Sequence, residues 1–430
     1  MDKTFSILTL GCKVNQYESE AMSELFEKEG YRQVENEDFS DVYIVNTCTV
    51  TNLSDRKSRQ FIRRAKRQNP DSVVAVVGCY SQVSPDEVKN IEGVDVVIGT
   101  TDRNKIVGLV EEAKNGEKFN IVRDLKDVRE FHNTTNFDSN NRTRAYMKVQ
   151  DGCNRFCTYC IIPYARGPIR SREIEDAVEE ARALASSGFK EIILTGIHIG
   201  SFGKDKGEKR LIDLIEAIAE VEGIERIRLS SVEPNIIDED FMKRAVKTGK
   251  LCDHFHLSLQ SGSNNILKAM NRHYTREEYI EKTKIIRKYM PMAGLTTDII
   301  VGFPGETEED FNDSVSIVEE VGFSKVHVFK YSKRKNTPAA KMENQVDGNI
   351  KKERSEKLIH VEEMYQKKFK EKNMNMPKSV LFEERHDDEF YGYTTNYIRV
   401  KAKSSLDITN EIKNVEILDT EEIAHCKILD

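Results

Sequence analysis

Asp151-Gly152-Cys153-Asn154-Arg155-Phe156-Cys157-Thr158-Tyr159-Cys160 is the stretch that decides how the chain reads. Three residues separate the first two thiols and two separate the second pair. The segment follows an apolar strand candidate, Ala145–Gln150, so it falls on a loop at a strand's C-terminal end. Soft thiolates suit zinc or iron–sulfur clusters. A structural zinc site wants a fourth ligand, and no further Cys or His stands close by in the chain. Three thiolates on a four-iron cluster leave one iron open to a reacting ligand.

Working outward, five more strand candidates follow: Glu191–Gly196, Glu225–Ser231, His254–Gln260, Leu295–Gly302 and Lys325–Ser332. Helical stretches Glu173–Ser186, Leu211–Val221, Glu277–Tyr289 and Glu308–Glu320 separate them, and a charged helix over Asn349–Lys372 closes the region. Six βα units are too few for the eight-unit barrel. They predict a partial barrel over 142–372, with its working face at the C-terminal strand ends. Upstream, the apolar runs Phe5–Leu10, Val42–Asn46, Ser72–Gly78 and Val94–Gly99 alternate with helical stretches such as Ser19–Glu29 and Ser54–Gln68. That pattern predicts an α/β parallel-sheet domain over 1–125, joined by a polar linker at 126–141. Downstream, 376–430 is short and β-rich. Its runs Ser379–Glu384, Phe390–Ala402, Glu411–Leu418 and Ala424–Leu429 alternate like small-barrel strands.

Three more thiols fall just past the ends of N-terminal strands: Cys12, Cys48 and Cys79. Strand ends of an open α/β sheet gather at one crevice, so these distant cysteines are expected to converge. Gly11 and Gly78 would let backbone approach closely. The remaining thiols, Cys252 and Cys426, have no such spacing and read as packing residues.

The bulk numbers fit this picture. The chain has 430 residues, 38% apolar and 32% charged, with net charge −7. It is therefore no globally basic nucleic-acid binder; RNA contact would need local basic patches. No signal-peptide layout is visible, and no stretch approaches the roughly 18 apolar residues of a membrane span. A cytoplasmic location is expected, where eight cysteines point to metal or catalysis rather than disulfides.

The Cys-x3-Cys-x2-Cys spacing, with Tyr159 before the last thiol, resembles the radical S-adenosylmethionine (SAM) superfamily. The resemblance implies a 4Fe-4S cluster on Cys153, Cys157 and Cys160. Its open iron would bind SAM, whose reductive cleavage yields a 5′-deoxyadenosyl radical. The strings Leu10-Gly11-Cys12-Lys13-Val14-Asn15-Gln16-Tyr17-Glu18-Ser19, Asn46-Thr47-Cys48-Thr49-Val50 and Gly78-Cys79-Tyr80 resemble the methylthiotransferase family over nearly the whole chain. That family joins an N-terminal cluster domain, a radical barrel and a small C-terminal β-barrel called TRAM. It implies a second 4Fe-4S cluster on Cys12, Cys48 and Cys79, whose open iron carries the sulfur to be transferred. The resemblance also places the SAM methionine moiety near Thr195, Gly196 and Ser230, its ribose near Gln260 and Gly262, and its adenine beside Asp298–Gly302 and Phe329–Tyr331. The chain departs from many superfamily members in having Leu194-Thr195-Gly196 where they carry a Gly-Gly-Glu type turn.

The string around Cys12 most resembles the branch that methylthiolates C2 of N6-threonylcarbamoyladenosine beside the tRNA anticodon. Relatives acting on isopentenyladenosine, or on a ribosomal-protein aspartate, differ around this cysteine. A reading of another class is a non-catalytic, metal-bearing RNA-binding scaffold, which zinc content would favour. An enzyme of this kind needs an electron donor and a sulfur source, and a target base reachable in a single-stranded loop. Two basic sets are candidate RNA contacts. One is Arg56, Lys57, Arg59, Arg63, Arg64, Lys66 and Arg67 on a predicted helix; the other is Arg142, Arg144, Arg166, Arg170 and Arg172 around the radical motif. In the C-terminal domain Tyr391, Tyr393, Tyr397, Arg399, Lys401 and Lys403 mix aromatics with bases. His198, His254 and His256 lie near strand ends and read mainly as polar packing.

Overall fold

The computed structural model describes residues 3–49, 52–131, 143–207 and 209–429. Most of the expected linker, with Arg142 and Val50, therefore lies outside the described residues. No helix among them is long and apolar enough to cross a membrane.

The N-terminal domain is a six-stranded parallel sheet in the order Arg32–Gln33, Thr4–Thr9, Val42–Thr47, Val73–Gly78, Val96–Val97, Phe119–Asn120. Its central strands are buried on both faces, which is why they read as unbroken apolar runs. Ile44, Ala75 and Val77 face helices Lys13–Lys28 and Ile106–Ala113, while Val45, Val74 and Val76 face helix Asn52–Gln68. The first helix starts at Lys13, well before the expected Ser19. The Asn15 amide explains the early start: it donates to Leu10 O (2.7 Å) and Thr47 O (2.9 Å), fixing the turn that leads into the helix.

The middle domain bears out the open barrel of six parallel strands. Arg226–Leu229, Glu191–Gly196 and Arg144–Asp151 form one part, and His254–His256, Gly294–Val301 and Lys325–Lys330 the other. Single bridges Ile227–Leu251 and Val232–Leu257 join the parts. Local chemistry sets the helix starts. Thr275 with Glu278, and Thr307 with Asp310, form reciprocal capping boxes, and Asp238 caps its helix by accepting from Phe241 N. The closing helix runs Gly348–Asn373.

The C-terminal domain is a closed barrel of five strands, Pro377–His386, Glu389–Thr394, Arg399–Lys403, Ala424–Ile428 and Ile412–Ile417 in barrel order. The run Phe390–Ala402, expected as one strand, is instead a hairpin. Thr394 Oγ1 donates to Asn396 Oδ1 (2.7 Å) and accepts from Ile398 N (2.8 Å), and Tyr397 turns at φ +72°. The hairpin tip docks on the middle domain, where Arg228 donates to Thr395 O (2.9 Å) and Asn396 to Met292 O (3.0 Å). Periodicity alone misses such a turn because its flanks keep the strand alternation.

Candidate active site

Strand Arg144–Asp151 delivers the thiol loop. Gly152 sits at φ +74°, and a Cβ there would meet Pro168 O at 1.8 Å, so only glycine fits. Cys153 N donates to Gly167 O (3.0 Å), and Thr158 donates from N to Met270 O (3.0 Å) and from Oγ1 to Ala269 O (2.8 Å). The Asn271 amide donates to the Arg155 and Phe156 carbonyls, each at 3.2 Å. So pinned, the sulfurs of Cys153, Cys157 and Cys160 lie close enough to act on one another's charge. Burial pushes the Cys153 thiol up to about 11 and the Cys160 thiol up to about 12. Metal ions reverse this preference, because the thiolate is the ligand form. Arg272 donates to Cys157 Sγ (3.5 Å) and pairs with Glu233 (3.3 Å). Tyr159 packs with Tyr331, Phe303, Ile266 and Met270 beside the loop.

The three N-terminal thiols also converge. A Cβ on Gly11, at φ +109°, would strike Cys48 Cβ at 2.7 Å and Sγ at 2.9 Å, so Cys48 packs directly on the turn before Cys12. Cys79 lies within electrostatic range of Cys12. Asn46 donates to Asn15 O and Ser19 Oγ, both at 2.9 Å, and Thr47 Oγ1 to Val77 O at 2.6 Å. Asn15, Ser19, Asn46 and Thr47 thus lace the three turns together, a role that spacing did not reveal. Arg334 reaches across from the middle domain to donate to Thr49 Oγ1 (2.7 Å).

Among the described residues, the group of three ligand types whose donor atoms all lie within 4.8 Å is His256, Asp298 and His327. Neither thiol trio is that tight. A cube of four irons spreads its ligands wider than one zinc ion does, and the thiolate donors of both trios suit such clusters.

A buried charge network connects the trios. Arg166 donates from Nε to Cys79 Sγ (3.3 Å) and from Nη2 to Asn15 Oδ1 (2.7 Å) and Glu18 Oε2 (3.0 Å). Lys148 bridges Glu18 (2.8 Å) and Asp151 (2.7 Å), Arg103 adds to Glu18 (3.0 Å), and Arg170 to Asp151 (3.4 Å). Four cations face two carboxylates, so the surroundings of Cys79 favour an anionic guest such as a thiolate-ligated cluster. Burial alone would raise the Glu18 carboxyl, but Arg103, Arg166 and Lys148 outweigh it and hold it at about 2. Asp151 is likewise held well below the carboxylate range.

This geometry corrects part of the sequence reading. Arg166 and Arg172, expected on RNA, are buried: Arg166 serves the network and Arg172 pairs with Glu180. A desolvated guanidinium needs a carboxylate partner, and the sequence does not show burial. Arg166→Met is expected to cost about 3 kcal/mol of unfolding free energy, because it breaks a buried pair from one side. Denaturant titration checks this. The Glu18 contribution has a defined sign: the folded value lies below the unfolded one near 4.5. Its stabilisation is therefore full above about pH 4.5 and lost as pH falls towards about 2. Arg166→Met should flatten stability across that acid window.

A cavity of about 760 Å³ lies where the three domains meet. The N-terminal domain contributes Cys12 and Lys13; the barrel gives Thr195, Gly196, Ser230, Asp298 and Phe329; the C-terminal hairpin gives Tyr397 and Arg399. Gln260, Gly262, Tyr159 and Tyr331 do not line it. Gly262 packs on helix Glu308–Val321, where a Cβ would meet Asp313 O at 2.4 Å. Tyr397 is no open RNA platform. It stacks between His254 (4.5 Å) and Tyr393 (4.7 Å), with the Arg228 guanidinium 4.8 Å from its ring. Burial and Arg228 hold the His254 imidazole well below the histidine range, so it is neutral. His256 bonds Thr296 Oγ1 (3.0 Å) and faces Asp298 (3.3 Å), while His198 faces Glu233 (3.1 Å). On helix Asn52–Gln68, Arg56, Arg63 and Arg67 are exposed. Arg59 is tied to Tyr80 (3.0 Å), and Arg64 to Asn36 O (2.9 Å). Cys252 and Cys426 are buried, as expected of packing residues.

A three-thiol loop at the C-terminal end of the first strand of an open six-stranded parallel barrel defines a radical SAM enzyme. Residues 147–318 match the radical SAM superfamily, and residues 4–99 match the uncharacterized protein family UPF0004. The chain is 44% identical over 422 residues to the threonylcarbamoyladenosine tRNA methylthiotransferase MtaB of Bacillus subtilis, covering 96% of this chain and 94% of that one. It is 38% identical to the tRNA-2-methylthio-N(6)-dimethylallyladenosine synthase of Acetivibrio thermocellus, covering 96% and 88%. Among solved structures, the radical SAM methyltransferase TsrM of Kitasatospora setae shares the fold at a TM-score of 0.59 and 15% identity, over 79% of this chain and 77% of that one. The chain belongs to the methylthiotransferase family of radical SAM enzymes, and its chemistry uses SAM and a 4Fe-4S cluster.

Proposed function

We propose that the protein adds a methylthio group to C2 of N6-threonylcarbamoyladenosine beside the anticodon of tRNA. The observation that carries this reading is the shared cavity, into which Cys12, the strand ends Thr195, Ser230 and Asp298, and the C-terminal Tyr397 and Arg399 all open. A sulfur-bearing centre, a cosubstrate site and an RNA-facing domain are the three parts that the reaction requires. In this reading Cys153, Cys157 and Cys160 hold the SAM-cleaving cluster, and Cys12, Cys48 and Cys79 hold a second one. Bound there, the clusters and SAM would supply the radical, the sulfur and the methyl group. The chain's own residues then position the partners. Thr195, Gly196 and Ser230 border the cosubstrate, with Asp298 and Phe329 on its adenine side. The cavity walls from three domains limit the water that reaches the reacting carbon. The exposed Arg56, Arg63 and Arg67 neutralise RNA phosphates. An electron donor and a sulfur source come from other molecules in the cytoplasm.

Mass spectrometry of tRNA nucleosides, with and without the gene, tests the reading. Loss of 2-methylthio-N6-threonylcarbamoyladenosine, with its unthiolated precursor accumulating, is expected on deletion. Loss of the isopentenyl product instead would move the substrate to that branch. Unchanged tRNA would remove the RNA reading and favour a protein target.

A further inference from the structure

We propose that Lys13 is a specificity-determining residue that binds the carboxylate of the threonyl substituent on the target adenosine; the inference rests on the substrate reading above. Lys13 immediately follows Cys12, and both line the three-domain cavity. The other lysines and the arginine on that lining are committed. Lys325 pairs with Glu362 at 2.7 Å, Lys370 donates to the Glu421 and Glu422 carbonyls, and Arg399 pairs with Glu384 at 3.4 Å. Among the described residues, Lys13 has neither an acidic nor a hydrogen-bonding partner, although it is half-buried.

Its charged neighbours do not neutralise it. Arg144 and Arg228 lie within electrostatic range, and Glu191 is already engaged by Arg228 at 2.7 Å. With Arg228 matched by Glu191 and Arg144 matched by Glu383 at 2.8 Å, the Lys13 ammonium is left, among the described residues, as a cation without a carboxylate of its own, which favours an anion there. A buried hydroxyl without a partner, Ser230 Oγ, sits on the same wall. An anionic group that also carries a hydroxyl matches this pair, and the threonyl group has both.

Position agrees with charge. C2 and the N6 substituent flank N1 on one edge of adenine. A residue next to the thiol whose centre faces C2 is thus within reach of a substituent several atoms long. An isopentenyl group has no charge to offer there, and an unpaired ammonium would penalise it by remaining desolvated.

The test uses anaerobically reconstituted holoenzyme and an anticodon stem-loop carrying either threonylcarbamoyladenosine or its carboxamide, in which the acid is neutral. Dissociation constants are read without turnover, and KM and kcat with it. Wild type is expected to bind the acid at least about tenfold more tightly than the amide, the usual scale for a charged hydrogen bond. Lys13→Gln should shrink that ratio to below about twofold, and Lys13→Arg should restore most of it. Equal binding of acid and amide by wild type overturns the inference, whatever the variants do. So does a Lys13→Gln variant that keeps the full ratio, and either result leaves the substrate reading intact if wild type still thiolates the acid. Wild type that thiolates only an isopentenyl stem-loop overturns the substrate reading and the inference together.

Discussion

Cys157→Ala is expected to reduce 5′-deoxyadenosine formation to background and to lower iron from about eight to about four per chain. Cys157 is buried, receives the Arg272 hydrogen bond, and stands between two thiols that burial keeps protonated at about 11 and about 12. With the central sulfur gone, two such thiols are a poor anchor for a cluster, because each must lose a proton to bind. The fold should persist, since Ala fits the space and the loop is held by backbone bonds from Cys153 and Thr158. Anaerobic chromatography of SAM products, with an iron assay, checks both parts. Cleavage at the wild-type rate would sink the assignment of this trio.

Cys48→Ala should separate the two halves of the chemistry. The thiol is buried against Gly11 in the N-terminal domain, while the Cys153–Cys160 loop is pinned by the turn at Ala269–Asn271. Removing Cys48 therefore leaves that loop's hydrogen bonds untouched. The variant is expected to keep a substantial rate of 5′-deoxyadenosine formation, to retain about half the iron, and to yield no methylthio nucleoside. Product formation near the wild-type level would show that the Cys12, Cys48 and Cys79 trio has no part in sulfur transfer.

The gathering of the thiols was legible because thiol spacing and strand ends are local properties of a sequence. Cys12, Cys48 and Cys79 each follow an apolar run, and the topology of a parallel sheet brings such positions together without further information. The middle-domain barrel was legible for the same reason: its strands recur with helices between them. Arg166 and Arg172 were misread because a guanidinium inside a charge network and one facing a phosphate look alike in one dimension. Tyr397 was misread because the left-handed turn at its own position hides within an unbroken alternation of strand residues. Lys13 was passed over beside a conspicuous cysteine. Its significance comes from the partners that Lys325, Lys370 and Arg399 have and it lacks, which only three dimensions reveal.

Arg166 has a consequence for how the enzyme works. It is clamped at one end to Cys79 and at the other to the carboxylate shared with Lys148, which in turn holds the residue just ahead of Gly152-Cys153. The two thiol loops are thereby tied to a common frame of buried charge, and their separation is set when the chain folds. A change at either end, such as loss of the Arg166 guanidinium, is therefore felt at both thiol loops.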